Sequence, residues 1–187
     1  MIKVDTIMMP YIEYTIKDHA KNKKKIQQTL NKTLLESVIN NDMHINKTDY
    51  AVPQDIERPY KKVLTGILDK SIGYITHSLG YEEVNVPHLF SVNMKKNDVI
   101  GWGTYMSNFI GIYAFDLLDK KFELKWFNAI EKKIDVLYIK EGDVLFFPSY
   151  LNHSIINLGK PKTFFIFSLN FSKGTNIENL MKDVEKK

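Results

Sequence analysis

From residue 84 to residue 171 the chain breaks into short runs that favour extended backbone, and this half limits what the whole can fold into. The runs are 84–94, 109–117, 122–129, 134–139, 144–147, 153–157 and 163–171. Between them stand turn-forming and charged clusters, among them Lys95-Lys96-Asn97-Asp98, Asp119-Lys120-Lys121, Glu131-Lys132-Lys133, Glu141-Gly142-Asp143 and Leu158-Gly159-Lys160-Pro161. Strands this short, joined by connections this brief, predict an antiparallel sandwich or barrel. The sharpest punctuation is at residues 141–153. A Gly142-Asp143 turn feeds the apolar run 144–147, and Pro148, which has no amide hydrogen for a continuing ladder, ends it. The chain then re-enters a strand at His153, so one imidazole sits on a loop fixed by flanking strands, where binding and catalytic groups concentrate.

The N-terminal part reads differently. Runs 2–8 and 11–16 are β-like and divided by Pro10. Asp18 is placed to cap a helix running to about Asn40, because Ile26, Leu30, Leu34 and Val38 recur every four residues with Leu35 and Ile39 beside them. Asn40-Asn41-Asp42 ends it, and a polar, turn-rich segment over 44–53 carries Thr48-Asp49-Tyr50. Pro59 suits the first turn of a second helix, where its missing amide hydrogen needs no partner. Tyr60, Leu64, Ile67, Leu68, Ile72, Ile75 and Leu79 line one side of that helix, and Gly80 stops it. A last amphipathic helix is predicted over 176–184, with Ile177, Leu180 and Met181 on one side. No repeat or linker divides the chain. The expectation is one domain over 1–187, with strands and helices over 1–80, a β-core over 82–171 and a helical tail over 172–187.

Several function classes drop out on composition. The chain has 187 residues and is 44% hydrophobic, enough for a sizeable core, but its longest apolar runs are too short to span a bilayer. The N-terminus lacks the pattern of a secretory signal, so the expected location is the cytoplasm or a virion, not the exterior. Zero cysteines exclude disulfides, thiolate metal sites and a cysteine nucleophile. The net charge of +4 is concentrated in Lys21, Lys23, Lys24, Lys25 and the Lys186-Lys187 end. That reads as a solvated helix face and tail, and nucleic acid is not an expected partner. There is no Gly-rich phosphate loop, Gly-x-Ser-x-Gly elbow or His-Glu-x-x-His helix, and Glu82 and Glu83, adjacent on a strand, point to opposite faces.

The stretch Ile139-Lys-Glu-Gly-Asp-Val-Leu-Phe-Phe-Pro-Ser-Tyr-Leu-Asn-His153, followed by Asn157 and Phe165-Ile-Phe-Ser-Leu-Asn-Phe171, resembles the C-terminal half of the 2-oxoglutarate and iron(II)-dependent oxygenases. The likeness is to the prolyl-hydroxylase type found in T4-like and marine phages. It implies a mainly β (α+β) fold, a double-stranded β-helix or jelly roll with two N-terminal helices packed outside. It also implies iron(II) and 2-oxoglutarate as cofactors, with His153 as one metal ligand. The other two ligands, a His-x-[Asp/His] pair, belong just before Phe109-Ile-Gly-Ile-Tyr-Ala-Phe115, within residues 98–108. Depending on register they fall on Trp102 and Thr104 or on Gly103 and Tyr105, and neither choice supplies an imidazole or a carboxylate. Gly103 lies 50 residues before His153, the spacing the resemblance implies, so the segment is substituted and not missing.

The cosubstrate side reads likewise. The family's basic residue for the distal carboxylate aligns with Phe164. Alternation puts Phe164, Ile166, Ser168 and Asn170 on one strand face and Phe165, Phe167, Leu169 and Phe171 on the other. Lys162 shares the parity of Phe164 and is the candidate to replace the lost base. His153 has a plainer role open to it, a hydrogen bond to a backbone carbonyl or to Asn157. Asp98, Asp116 and His88 lie at positions the family does not use for ligands, and His19, His44 and His77 carry no pattern.

These readings predict a catalytically degenerate oxygenase-like jelly roll with no bound cofactor, serving as a binding or assembly module and specifically as a phage structural (virion) protein. Its partners are then other proteins, in a homo-oligomer or a viral assembly, and not a membrane. The alternatives are an active iron(II) and 2-oxoglutarate hydroxylase with atypical ligands, and a cupin-like binder of a small molecule or sugar. Trp102, Tyr105, Tyr113, Trp126 and Phe127 furnish the aromatic content such a binder needs.

Overall fold

The computed structural model describes residues 11–31, 36–39, 45–50, 52–53, 56–119, 123–128 and 131–173. Twelve strands and two helices lie among them: β1 (Ile12–Thr15), α1 (His19–Leu30), β2 (Glu36–Ile39), β3 (Ile45–Thr48), α2 (Pro59–Ser78), β4 (Glu83–Asn85), β5 (Leu89–Met94), β6 (Val99–Gly103), β7 (Phe109–Leu117), β8 (Glu123–Asn128), β9 (Lys133–Tyr138), β10 (Asp143–Pro148), β11 (His153–Ile156) and β12 (Lys162–Ser172). The expected strand over 2–8 and the helix over 176–184 fall outside the described residues.

Two antiparallel sheets face each other. The larger has eight strands, ordered β1-β10-β7-β12-β5-β3-β2, with β4 paired to the far end of β12. The smaller has four, ordered β6-β11-β8-β9. This is an antiparallel sandwich, as the strand pattern predicts, and the jelly roll that the resemblance implies, with both helices laid on the outer face of the larger sheet.

Alternation along the central strands, broken only near one end by a register shift between Thr163 and Phe164, builds two separate cores. On β7 and β12, Tyr113, Phe115, Phe165, Phe167 and Leu169 point toward Ile26, Leu30, Tyr60, Leu64 and Leu68 of the helices. Their neighbours Ile110, Ile112, Ala114, Phe164 and Ile166 point between the sheets, where they meet Phe90, Val92, Leu124, Leu145, Phe147 and Ile155. The period of two that governs side-chain direction in a strand sorts one sequence into both cores. At position 111 the partner residue is Phe167, and a Cβ there would stand 2.2 Å from the Phe167 ring, which only glycine avoids.

The second helix forms as expected, with Pro59 in its first turn and Gly80 beyond its end at φ +75°. The first helix does not. It ends at Leu30, and Val38 and Ile39, read as continuing its stripe, pair in β2 with Asn46 and Ile45 of β3. Both are β-branched, and pairing into the sheet outweighs a four-residue repeat that fits a helix equally well. Asp18 precedes α1 without a side-chain capping bond.

A buried polar clasp joins the helical layer to the sheet. Asp49, fully buried, accepts hydrogen bonds from the Arg58 Nε (2.9 Å), the Tyr60 hydroxyl (2.6 Å), and the Ser91 amide (2.7 Å) and hydroxyl (3.0 Å). Arg58 donates further to the carbonyls of Asp49, Val52, Pro53 and Ile56. A buried ion pair is tolerable when every remaining donor and lone pair is used in this way. Burial, with the Asp49 carboxylate beside it, pushes the Tyr60 phenol far up.

Candidate functional site

β10 ends at Pro148, opposite Phe109 of β7, and the chain turns through residues 149–152 before entering β11 at His153. The turn is laced to the loop after β6. The Ser149 amide donates to Asn108 O (3.1 Å), the Tyr105 amide donates to Ser149 O (3.2 Å), and the Ser149 hydroxyl donates to the Ser107 carbonyl. These bonds fix the two loops that form the mouth of the space between the sheets.

His153 is 4% exposed. Its Nδ1 lies 2.8 Å from Leu151 O, and since a carbonyl can only accept, Nδ1 carries the proton and Nε2 is left as an acceptor. The ring stacks on Tyr105 (5.6 Å between centroids) and meets the edge of Phe147 (4.8 Å). Burial holds the imidazole below its ordinary pKa, against the opposing pull of the Leu151 carbonyl, so the ring is neutral at pH 7. Asn157 is not its partner, because the Asn157 amide donates to the carbonyls of Met94, Lys95 and Lys160.

Across the β6–β11 pairing, His153 stands opposite Gly103, with a register shift just beyond it. Gly103 and Tyr105 are half-buried on the His153 side, whereas Trp102 (47% exposed) and Thr104 point to solvent. Burial, then the neighbouring Tyr50, pushes the Tyr105 phenol up to about 12. Deeper between the sheets, Phe164 is fully buried among Val92, Ala114 and other apolar side chains. Lys162, two residues earlier on β12, is also buried, and its ammonium is taken by Asp119, whose other oxygen receives the Lys160 amide. Ser168, on the same β12 face as Phe164 and level with Ile110 and Phe147, has a buried hydroxyl with no partner among the described residues.

The remaining candidates lie apart from this mouth. Asp98 caps its own turn through the Lys95 amide (2.6 Å), Asp116 pairs with Lys23 (2.8 Å), and His88 and His77 are exposed. His44 is outside the described residues. His19 belongs to a second network that sequence reasoning missed. Its Nε2 lies 3.1 Å from the Glu141 carboxylate and its Nδ1 2.6 Å from the Tyr113 hydroxyl. Burial raises the Glu141 pKa, but bonds from Lys23, the Leu117 amide and His19 outweigh it and hold the carboxyl below the usual range.

No protein-family model matches the chain, and comparison with the curated proteins finds no match. Solved structures do match. A 2OG-Fe(II) oxygenase family oxidoreductase from Burkholderia pseudomallei superposes with a TM-score of 0.68, covering 86% of this chain and 85% of its own at 13% identity. Its fold is that of the 2-oxoglutarate and iron(II)-dependent oxygenases. A Pseudomonas putida prolyl-4-hydroxylase (TM-score 0.62, 88% and 93% covered, 10% identity) and a viral collagen prolyl hydroxylase from Paramecium bursaria Chlorella virus-1 (0.60, 87% and 96%, 10%) share it. At such identities the likeness extends to the fold of an oxygenase and not to its activity.

The side chains at the mouth test whether iron fits. A facial triad needs three imidazole or carboxylate ligands on one side of the ion. At the positions the resemblance points to, His153 supplies one imidazole, Gly103 nothing and Tyr105 a protonated phenol. Among the described residues, no three His, Cys, Asp or Glu side chains are grouped to hold a metal. Residues 99–115 and 144–159, which flank His153 and Gly103, contain no Asp, Glu, Lys or Arg. The described side chains at these positions do not make up a donor set for iron(II) and 2-oxoglutarate.

Proposed function

We propose that this chain keeps the oxygenase jelly roll as a metal-independent binding or assembly module, working with other proteins in a homo-oligomer or a viral particle. The observation that carries the reading is the pairing of His153 with Gly103, an imidazole facing a residue with no side chain. The neighbouring groups support it, because each is already engaged. Tyr105 stacks on His153, Leu151 holds Nδ1, Phe164, where the resemblance expects a basic residue, is buried among apolar side chains, and Lys162 is taken by Asp119. Inserting a dicarboxylate against this apolar wall without a cationic partner costs several kcal/mol, roughly 2–7 for a polar group and more for a charge.

The test is anaerobic calorimetry of iron(II) binding, with and without 2-oxoglutarate, on the full chain and on His153→Ala. The expected result is no stoichiometric binding to either protein. One iron per chain, lost in His153→Ala, overturns the reading in favour of a hydroxylase with atypical ligands.

A further inference from the structure

Both helices lie on the eight-stranded sheet, and the outer face of the four-stranded sheet presents a run of large apolar side chains instead. Cross-strand register joins them. Phe127 pairs with Ile134, Lys125 with Val136 and Glu123 with Tyr138, all pointing outward, while Leu124, Trp126 and Leu137 of the same two strands pack inward. Trp102 reaches the same outer face from β6 at the far side of the sheet. Exposures are 47% for Trp102, 45% for Phe127, 55% for Ile134, 40% for Val136 and 61% for Tyr138.

We infer that this face is a self-association surface, on which two copies of the chain stack their four-stranded sheets about a two-fold axis. The inference deepens the assembly side of the function proposed above and rests on it. Area is the first argument. An aromatic side chain offers about 150–250 Å², so three that are half exposed, with the two aliphatic ones, present roughly 400–450 Å² of apolar surface per copy. Two copies then cover about 800–900 Å². Since interfaces are about 56–65% apolar, the whole contact comes to roughly 1,200–1,600 Å². That lies within the range of specific, stable interfaces, about 1,200–2,000 Å².

Charge is the second argument. The chain carries +4 overall, but the outward positions of β8 and β9 carry one acid, Glu123, and one base, Lys125. A face with no net charge does not repel its own image, and the Lys125–Glu123 pair (3.8 Å within one copy) can exchange partners across the axis. Sheet faces of this kind pack about 10 Å apart with their side chains interdigitated.

Sedimentation equilibrium of the full chain over a range of concentrations reads this out. The expected mass rises from 21.8 kDa toward twice that value. Val136→Asp sets two carboxylates into the contact and Trp102→Ser removes an aromatic from the far side of the sheet, and each is expected to weaken dimerisation by ~10-fold or more. Both positions are exposed, so thermal melting followed by circular dichroism is expected to match the parent. A chain that stays monomeric throughout overturns the inference, as does a dimer indifferent to both substitutions. A dimer weakened by Val136→Asp alone also overturns it, because that pattern marks edge-to-edge pairing of β9. Iron calorimetry separates the two readings: a monomer that binds no iron removes this surface and leaves the metal-independent module standing, while a dimer that binds iron does the reverse.

Discussion

The double substitution Gly103→His with Tyr105→Asp is expected to create a metal site where the parent has none. Gly103 stands opposite His153, and nothing lies within 4 Å of where its Cβ would be. Directly opposed residues in an antiparallel pair hold their Cβ atoms ~4.5–5.5 Å apart, which lets two imidazoles reach one ion at bonds of ~2.0–2.1 Å. The carboxylate introduced in place of the Tyr105 phenol then approaches from the same half-buried side of the loop. Loss of the Tyr105–His153 stack is expected to destabilise the metal-free variant by ~0.5–1.5 kcal/mol. For a chain of this size that lowers Tm by about 1–6 °C, at roughly 2–4 °C per kcal/mol. Zinc(II), which tolerates air, is a convenient probe. At a free concentration of ~100 Kd it stabilises the folded state by ~2.7 kcal/mol. The corresponding rise in Tm is about 5–11 °C. The assay is a thermal melt with zinc and with chelator, in the parent, the double variant and the double variant carrying His153→Ala. A double variant that melts alike with and without zinc, or whose zinc response survives His153→Ala, refutes the placement of these three positions around one point.

Two further outcomes follow from the buried polar groups. Asp49→Ala strands the Arg58 guanidinium and is expected to cost roughly 3–5 kcal/mol. A fall in the urea midpoint or in Tm of about 6–20 °C checks it. Because His153 is depressed below its unfolded value of 6.5 by burial, the unfolded chain takes up a proton that the folded chain refuses. Stability is therefore expected to fall as pH drops from 6.5 toward the folded value and to level off below it. His153→Gln should flatten that slope in urea titrations run across the same pH range, and an unchanged slope assigns it to another group.

The sequence was most legible where local pattern and tertiary placement agree. Pro148 and the Gly142-Asp143 turn bound β10, alternation along residues 163–171 sorts Phe164 from Phe165, and the apolar stripe of α2 runs from Tyr60 to Ile75. Where they disagree, pairing with distant strands decided. β3 is polar and reads as a turn, yet it hydrogen-bonds to β5 through Lys47 and Thr48. β6 carries Gly101 and Gly103, which depress strand propensity, and it forms because β11 provides its ladder. At the candidate site, position along the chain located His153 at the start of a strand. It could not reveal that Tyr105 covers the ring or that Asp119 occupies Lys162, since both depend on loops meeting across the barrel. Thr48-Asp49-Tyr50 was legible as a turn, but the clasp needs Ser91, 42 residues away.

The two cores on either side of the larger sheet share a backbone but few side chains. A substitution at Gly103, Tyr105 or Phe164 disturbs only the packing between the sheets, while Tyr60, Leu64, Phe165 and Phe167 keep the helices seated on the other side. Distant, independent sites contribute additively to stability. In a jelly roll built this way, the half of the molecule that anchors the fold places no demand on what the other half does.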